Sequence, residues 1–315
     1  MSKSDHPNLS SHSYIIHDES MKSYTYMNIG GKARLLCKIG NIEDLCKSLD
    51  WSRAQSLDIK ILGGCSNVLI DDNGWDGVII LLRDNMNNVD IKNNLVTAES
   101  GAMLPKLSKI AAQSHLSGLE FAIGIPGTLG GALYSNAGIN DGSNIGSIIK
   151  SVTVLRDSSL HILESSQLQF SYRSSSLKDN NEIIISATLV LSHEEPSKIA
   201  KTMSSIINYR KLTQPASSKN AGSIFKNPPD FTAGELIEKS GLKGHRYGGA
   251  SVSEIHANFI VNDDNASARD VAALMLEIQS RVYKSSGIFL EPEVEWISDK
   301  YIPEIFYQKS SNKIL

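Results

Sequence analysis

No G-x-G triplet occurs anywhere in this chain, so the G-x-G-x-x-G fingerprint of a Rossmann dinucleotide site is absent. The only Gly-Lys pair, Gly31-Lys32, lacks the upstream glycine of a P-loop. Cysteine is scarce: Cys37, Cys46 and Cys65 are odd in number and form no C-x-x-C pair, which suits a reducing cytoplasm better than a disulfide framework. No two of the eight histidines stand in H-x-x-x-H or H-E-x-x-H spacing, so no metal site is expected. No run of about 18 apolar residues is present, so no membrane insertion is expected. The polar amino-terminal segment has no apolar h-region, and a secretory signal is not expected either. A formal net charge of −3 gives no reason to expect nucleic acid as a partner.

What is there is ordinary globular material, 41% hydrophobic and 21% charged, and 315 residues favour more than one compact unit. Residues 1–20, where polar residues break up the apolar ones, read as a flexible or loosely docked N-terminal arm. Ile59–Leu62, Val68–Ile70, 78–82 and 95–98 are short, rich in β-branched residues and bounded by Gly, Asn or Asp, as strands are. Residues 152–155 and 183–191 are further strand candidates. Ile42, Leu45, Cys46 and Leu49 repeat at helical spacing over 42–55, and Leu104, Leu107, Ile110 and Ala111 do so for a helix ending near Gly118. A helix over 196–209 starts on proline, where a missing N–H costs nothing. Another over 268–285 carries Val271, Leu274, Met275, Ile278 and Val282 as its apolar stripe, with Ser267 and Asp270 as a capping pair. A strand over 290–297 follows. These patterns divide the chain into the arm, a unit over 21–200, a second over 201–300 and a tail over 301–315.

Two glycine-rich segments dominate the first unit. Ile61-Leu-Gly-Gly-Cys-Ser-Asn-Val-Leu-Ile70 places a glycine pair between two strands. Backbone N–H groups in such a turn can converge on a phosphate, although a tight turn needing positive φ would use the same residues. The second, Gly124-Ile-Pro-Gly-Thr-Leu-Gly-Gly-Ala-Leu-Tyr-Ser-Asn-Ala-Gly138, is too dense in glycine for an ordinary helix or central strand. Either a plain loop or close approach of the backbone to a flat or phosphorylated ligand accounts for it.

These segments, with Tyr24-Thr-Tyr-Met-Asn-Ile-Gly-Gly31, resemble the flavin-binding segments of the UDP-N-acetylenolpyruvoylglucosamine reductases. Four later stretches resemble the same family in the same order: Ser171-Tyr-Arg-Ser174, Asn220-Ala-Gly-Ser-Ile-Phe-Lys-Asn-Pro228, Ala233-Gly-Glu-Leu-Ile-Glu-Lys-Ser-Gly-Leu-Lys-Gly244 and Leu290-Glu-Pro-Glu-Val294. The resemblance implies an α+β chain: an FAD-binding fold of the vanillyl-alcohol oxidase type in two lobes, then a smaller α+β substrate domain. It implies non-covalent FAD, NADPH as co-substrate in the cleft that also takes the sugar nucleotide, a cytoplasmic setting and no obligatory protein partner. Gly63, Gly64, Cys65, Ser66, Asn67, Gly124, Pro126, Gly127, Thr128, Gly130, Asn136 and Ala137 are the implied flavin contacts. Cys65 departs from the family, which often has glycine there. Fifty positions separate Arg173 from Ser223, which suits the short subclass without a tyrosine-bearing lid.

Hydride addition to an enolpyruvyl ether builds negative charge on its carboxylate and needs a proton at the adjacent carbon. The resemblance assigns Arg173 to the carboxylate, Ser223 to the proton and Glu293 to the intermediate or a proton relay. Strand alternation puts Glu291, Glu293 and Glu295 on one face, where like charges and burial would raise a carboxyl pKa. Lys211, Asn227, Lys243 and His256 resemble substrate contacts. The first three lie in a stretch, 209–246, with seven basic residues against three acidic ones, a surface a diphosphate would favour. By residues alone, Arg173 reads as a surface ion-pair residue, Ser223 as a turn or cap serine and Glu293 as part of a solvated acidic face. A hydroxyacid or sugar oxidase of the same fold would share the glycine loops, without reason to carry the serine and Leu-Glu-Pro-Glu-Val segments. A ligand-binding relic would have no reason to keep Arg173, Ser223 and Glu293.

Overall fold

The computed structural model describes residues 6–139, 141–215 and 218–311, the last four by backbone alone. Its contacts divide the chain into two compact units. Of the described residues, the first takes those up to Ile16, then Leu35–Gly64 and Gly77–Arg210, and the second takes His17–Arg34, Cys65–Asp76 and those from Lys211 on. A single division near residue 200 is thus not what the contacts give, because two early segments join the later half.

The first unit has two separate apolar cores. One lies against a five-stranded antiparallel sheet in the order Ser159–Glu164, Ile149–Arg156, Ile183–Val190, Leu95–Glu99, Val89–Lys92. Helices Leu104–Gln113 and Leu129–Ser135 supply Leu104, Leu107, Leu129 and Leu133 to it. The other gathers Leu35, Cys37, Leu45, Leu49, Val78 and Ile80 around helix Ile42–Ala54 and the parallel strands Ile59–Leu62 and Trp75–Leu81. A bulge beside Ile185 sends that side chain to the second core while Ile184 and Ala187 stay with the first.

Over its described residues, 6–20, the arm is docked. Ser10 donates both its N–H and its hydroxyl to the buried Asp44 carboxylate, and Ser13 Oγ accepts from Gly40 N–H at 2.8 Å. Tyr14–Ser20 is a strand. The reason lies 30 residues away: the start of helix Ile42–Ala54 needs acceptors and donors that the arm provides.

In the second unit, Asn220–Ser223, Phe259–Asn262, Ala250–Val252 and Arg246–Tyr247 form an antiparallel sheet in that order. Helix Ala268–Ser286 buries the predicted stripe, and Ser267 and Asp270 form the predicted capping box. The Asp72 carboxylate also accepts the N–H of Ala268 at 2.8 Å, which ties 65–76 to this unit. The strand expected over 290–297 is shorter, Glu295–Ile297, pairing in parallel with Val68–Ile70. Pro292 has no N–H to donate and makes only an isolated bridge to Phe225, so the ladder starts later. The expected tail contains helix Glu304–Ser311, with Ile305 and Phe306 buried in the unit's core. Among the described residues no helix is long and apolar enough to cross a membrane.

Candidate active site

The two glycine loops meet each other in the first unit. A Cβ at Gly63 would lie 2.2 Å from Thr128 Oγ1, and one at Gly64 would lie 2.6 Å from the Gly127 Cα. A Cβ at Gly130 would lie 2.9 Å from that of Ser100, and the Gly130 N–H donates to the Ser100 carbonyl at 2.8 Å. These glycines therefore let backbone pack on backbone. Thr128 caps helix Leu129–Ser135, which the glycine density had hidden from the sequence reading. Gly131 differs: a Cβ there would meet only Thr128 Oγ1, at 3.7 Å. The result is backbone packed on backbone, with Gly131 exposed and no side chain over it.

The helix ends at Asn136, a left-handed cap with φ 46°. Its amide donates to the Ser171 carbonyl at 2.9 Å and accepts from the Gly146 N–H at 3.0 Å, while the Ala137 N–H closes on Ala132. Asn136 and Ala137 thus shape the loop exit. Two residues past Ser171, Arg173 sits at φ 55° with its Nη1 donating to the Gly138 carbonyl at 3.4 Å and its guanidinium 5.3 Å from the Tyr172 ring. A non-glycine residue held in that region costs of order 1–3 kcal/mol, a strain that clusters at functional sites. The unit therefore brings the predicted carboxylate-binding arginine to the exit of the predicted flavin loop. At the entrance, Arg210 lies against Gly124, where an added Cβ would be 2.5 Å from its Cδ. The Arg210 side chain makes no ion pair or hydrogen bond among the described residues, and burial lowers its pKa.

Ser223, Glu293 and Asn67 come together in the second unit. Ser223 ends its strand after an irregularity in the pairing, with Gly222 at φ 77°. Such a bulge re-aims the side chain that follows it. The Glu293 N–H donates to the carbonyl of Ile224, the next residue, at 2.7 Å. Asn67 donates its amide to the Glu293 carbonyl at 3.3 Å. Cys65 is buried at φ 52°, so this position has the backbone conformation that favours glycine. Glu291, beside Glu293, is neutralised by Lys226 at 2.8 Å, which weakens the expected like-charge crowding.

Models of two families match the chain: "FAD binding domain" over 33–158 and "UDP-N-acetylenolpyruvoylglucosamine reductase, C-terminal domain" over 214–297. The UDP-N-acetylenolpyruvoylglucosamine reductase of Caldicellulosiruptor saccharolyticus is 41% identical over 289 residues, 91% of this chain and 93% of that one. That of Clostridioides difficile is 40% identical over 283 residues, 90% and 93% of the two chains. The chain belongs to the UDP-N-acetylenolpyruvoylglucosamine reductase family. The crystal structure of the Thermus caldophilus reductase superposes with a TM-score of 0.76 at 35% identity, covering 91% of this chain and 99% of that one. The fold is accordingly the α+β, FAD-binding fold of these reductases, and the chain is an FAD-dependent oxidoreductase.

The remaining predicted contacts of this family member spread through the second unit. His256 accepts the Asn258 N–H on Nδ1 at 3.2 Å and stands edge-on to Phe259, 4.8 Å between ring centroids. Burial lowers its pKa, Lys243 nearby adds to the effect and Glu238 opposes it. Lys243 itself pairs with Glu238 at 2.9 Å. Asn227 Oδ1 accepts the Ala233 N–H at the start of helix Ala233–Lys239, at 2.9 Å. Lys211, exposed, makes no ion pair among the described residues.

The basic stretch is less basic than its count. Lys226, Lys243 and Arg246 pair with Glu291, Glu238 and Asp263, two of which come from outside the stretch, and Arg210 belongs to the first unit. Asn258 escaped the sequence reading, and Arg210 entered it only as one charge of the basic stretch. For Asn258 a signal existed, an amide set in the otherwise apolar run Ala257-Asn-Phe-Ile-Val261.

Proposed function

We propose that the chain reduces UDP-N-acetylglucosamine enolpyruvate to UDP-N-acetylmuramate, a cytoplasmic step of peptidoglycan precursor synthesis, with NADPH as hydride source. The substrates are small molecules, and the reading needs no protein or nucleic-acid partner. Family membership supports the reaction. The observation that carries the chemistry is the join of the Ser223 bulge to Glu293 through the Ile224 carbonyl. FAD, when bound, supplies the capacity to take a hydride from NADPH and pass it to the enolpyruvyl methylene carbon.

Arg173 holds the substrate carboxylate with a planar, permanently charged fork, matching the negative charge that hydride addition builds there. Ser223 gives its hydroxyl proton to the carbon bearing the carboxylate and ether oxygen. A serine does this only when aimed at a strongly basic carbon, which is the use of the bulge at Gly222. Glu293, fixed beside it by its own backbone, stabilises the intermediate or returns the proton. Gly63, Gly64, Gly124, Pro126, Gly127, Thr128 and Gly130 take the flavin, Asn136 and Ala137 shape the exit of that loop, and the family motif assigns Cys65, Ser66 and Asn67 to the flavin as well. Lys211, Asn227, Lys243 and His256 take the UDP portion.

Anaerobic stopped-flow on Ser223→Ala tests the assignment. Flavin reduction by NADPH should stay near wild type, since it needs no acid at the substrate carbon. Flavin reoxidation by the enolpyruvyl substrate should slow by roughly 10²–10⁴-fold. Unchanged reoxidation would remove Ser223 from the mechanism.

A further inference from the structure

Asn258 is 3% exposed, and its amide is spent on a single neighbour. Oδ1 accepts the Phe225 N–H at 3.0 Å, and Nδ2 donates to the Phe225 carbonyl at 2.8 Å. Its own carbonyl accepts the Ile224 N–H at 2.9 Å. A side chain thus takes over at Phe225, past the last backbone bond between these two segments at Ile224. Phe225 is 1% exposed, so without Asn258 both groups of its peptide would be buried and unpaired. The same short segment meets the Glu293 chain: Ile224 accepts the Glu293 N–H at 2.7 Å, and the Lys226 N–H donates to Glu291 at 2.9 Å.

We propose that Asn258 is a positioning residue for proton delivery: its amide locks the Phe225 peptide and so holds Ser223 in register with Glu293. This rests on the reading of Ser223 as proton donor. Five hydrogen bonds fix residues 224–226 from two sides, and Ser223 is the residue directly before the segment they hold. An asparagine is required because Phe225 presents one donor and one acceptor together. An aspartate of the same shape offers two acceptors when ionised and regains a donor only when protonated.

Asn258→Asp therefore makes a pH-readable test. The titratable groups around the position are His256, with Lys243 and Glu238 beside it, and Glu293, Glu291 and Lys226 across the Phe225 peptide. Wild-type enzyme measured at each pH removes their own titration. Burial raises the pKa of the introduced carboxyl above the usual carboxylate value, bringing its protonation toward the working range. At pH 8 the variant, loaded with FAD, should reoxidise its flavin with enolpyruvyl substrate at least about tenfold more slowly than wild type, the effect of one charge-opposed buried hydrogen bond. Flavin reduction by NADPH should not change. The deficit should shrink as the pH falls to about 5.5. Asn258→Ser, which cannot pair both Phe225 groups, should show the same slowing without the pH recovery.

Equal slowing of both half-reactions, or a deficit independent of pH, would overturn the proposal in favour of a structural role. A variant matching wild type at every pH would remove any role. On a Ser223→Ala background the pH-dependent deficit should vanish; its persistence would overturn action through Ser223. A failure of Ser223→Ala alone to slow reoxidation sinks the proton-donor reading instead, and the two failures are distinct.

Discussion

Asn67 and Glu293 stand 226 positions apart, and the amide of the first donates to the carbonyl of the second at 3.3 Å. The Glu295 N–H returns the contact to the Asn67 carbonyl at 3.1 Å, just where the parallel pairing of Val68–Ile70 with Glu295–Ile297 begins. The end of the first glycine loop is therefore built into the segment that carries the acidic residue. Movement of either would disturb the other.

The glycine pair beside that loop sets the first prediction. Gly64→Ala puts a Cβ 2.6 Å from the Gly127 Cα, a backbone atom that cannot swing away. The two loops must part, at a cost of about 1–3 kcal/mol by analogy with overpacking. Purified Gly64→Ala should melt lower and lose flavin on gel filtration. Cys65→Gly should melt no lower than wild type, because glycine accepts φ 52° freely. Cys65→Val should melt well below both, since a β-branched residue tolerates that backbone worst. A Cys65→Gly protein as damaged as Cys65→Val would refute the strain argument.

A second prediction concerns the docked arm. Burial alone would raise the Asp44 pKa, but hydrogen bonds from Ser10, Ser13 and Asn41 outweigh it and bring it down to about 2, from 3.8. The folded value is depressed, so the stabilisation is complete above the unfolded pKa and is lost as pH falls from about 4 through about 2. A shift of that size corresponds to about 2 kcal/mol at neutral pH. Urea unfolding of Asp44→Asn should show a deficit of that order at pH 7, narrowing against wild type toward pH 3. A deficit that grows on acidification would contradict the sign.

His256 gives the third. Its folded pKa is lowered, so it stays neutral at pH 7 with Nδ1 free to accept the Asn258 N–H. That contribution is present above the unfolded value near 6.5 and is lost as pH falls through the folded one. Histidine Cε1–H resonances followed by NMR should place its midpoint below 6.5, and Lys243→Met should move it upward by removing the nearby positive charge. A midpoint at or above 6.5 in the wild type would show that burial is not the dominant influence.

The sequence by itself determined much that is local. Helical spacing from Ile42 and along the Val271 stripe, the Ser267–Asp270 cap and the Ile59–Leu62 and Val68–Ile70 strands are all set by residues within a few positions of one another. The family motifs around Arg173, Ser223 and Glu293 were legible for the same reason. What the tertiary structure alone decided is long-range. Nothing near Asp44 announces that Ser10 will satisfy it, and nothing near Gly64 announces Gly127. Residues 65–76 follow a strand of the first unit in sequence yet join the second, because the hydrogen bonds of Asn67 and Asp72 go to Glu293 and Ala268. Periodicity records which face of an element is apolar, but the partner of a buried donor or acceptor is fixed only when distant segments are packed together. Asn258 is the clearest case: its sequence marks it as a polar residue in an apolar run, and only the fold supplies Phe225 as the peptide it holds.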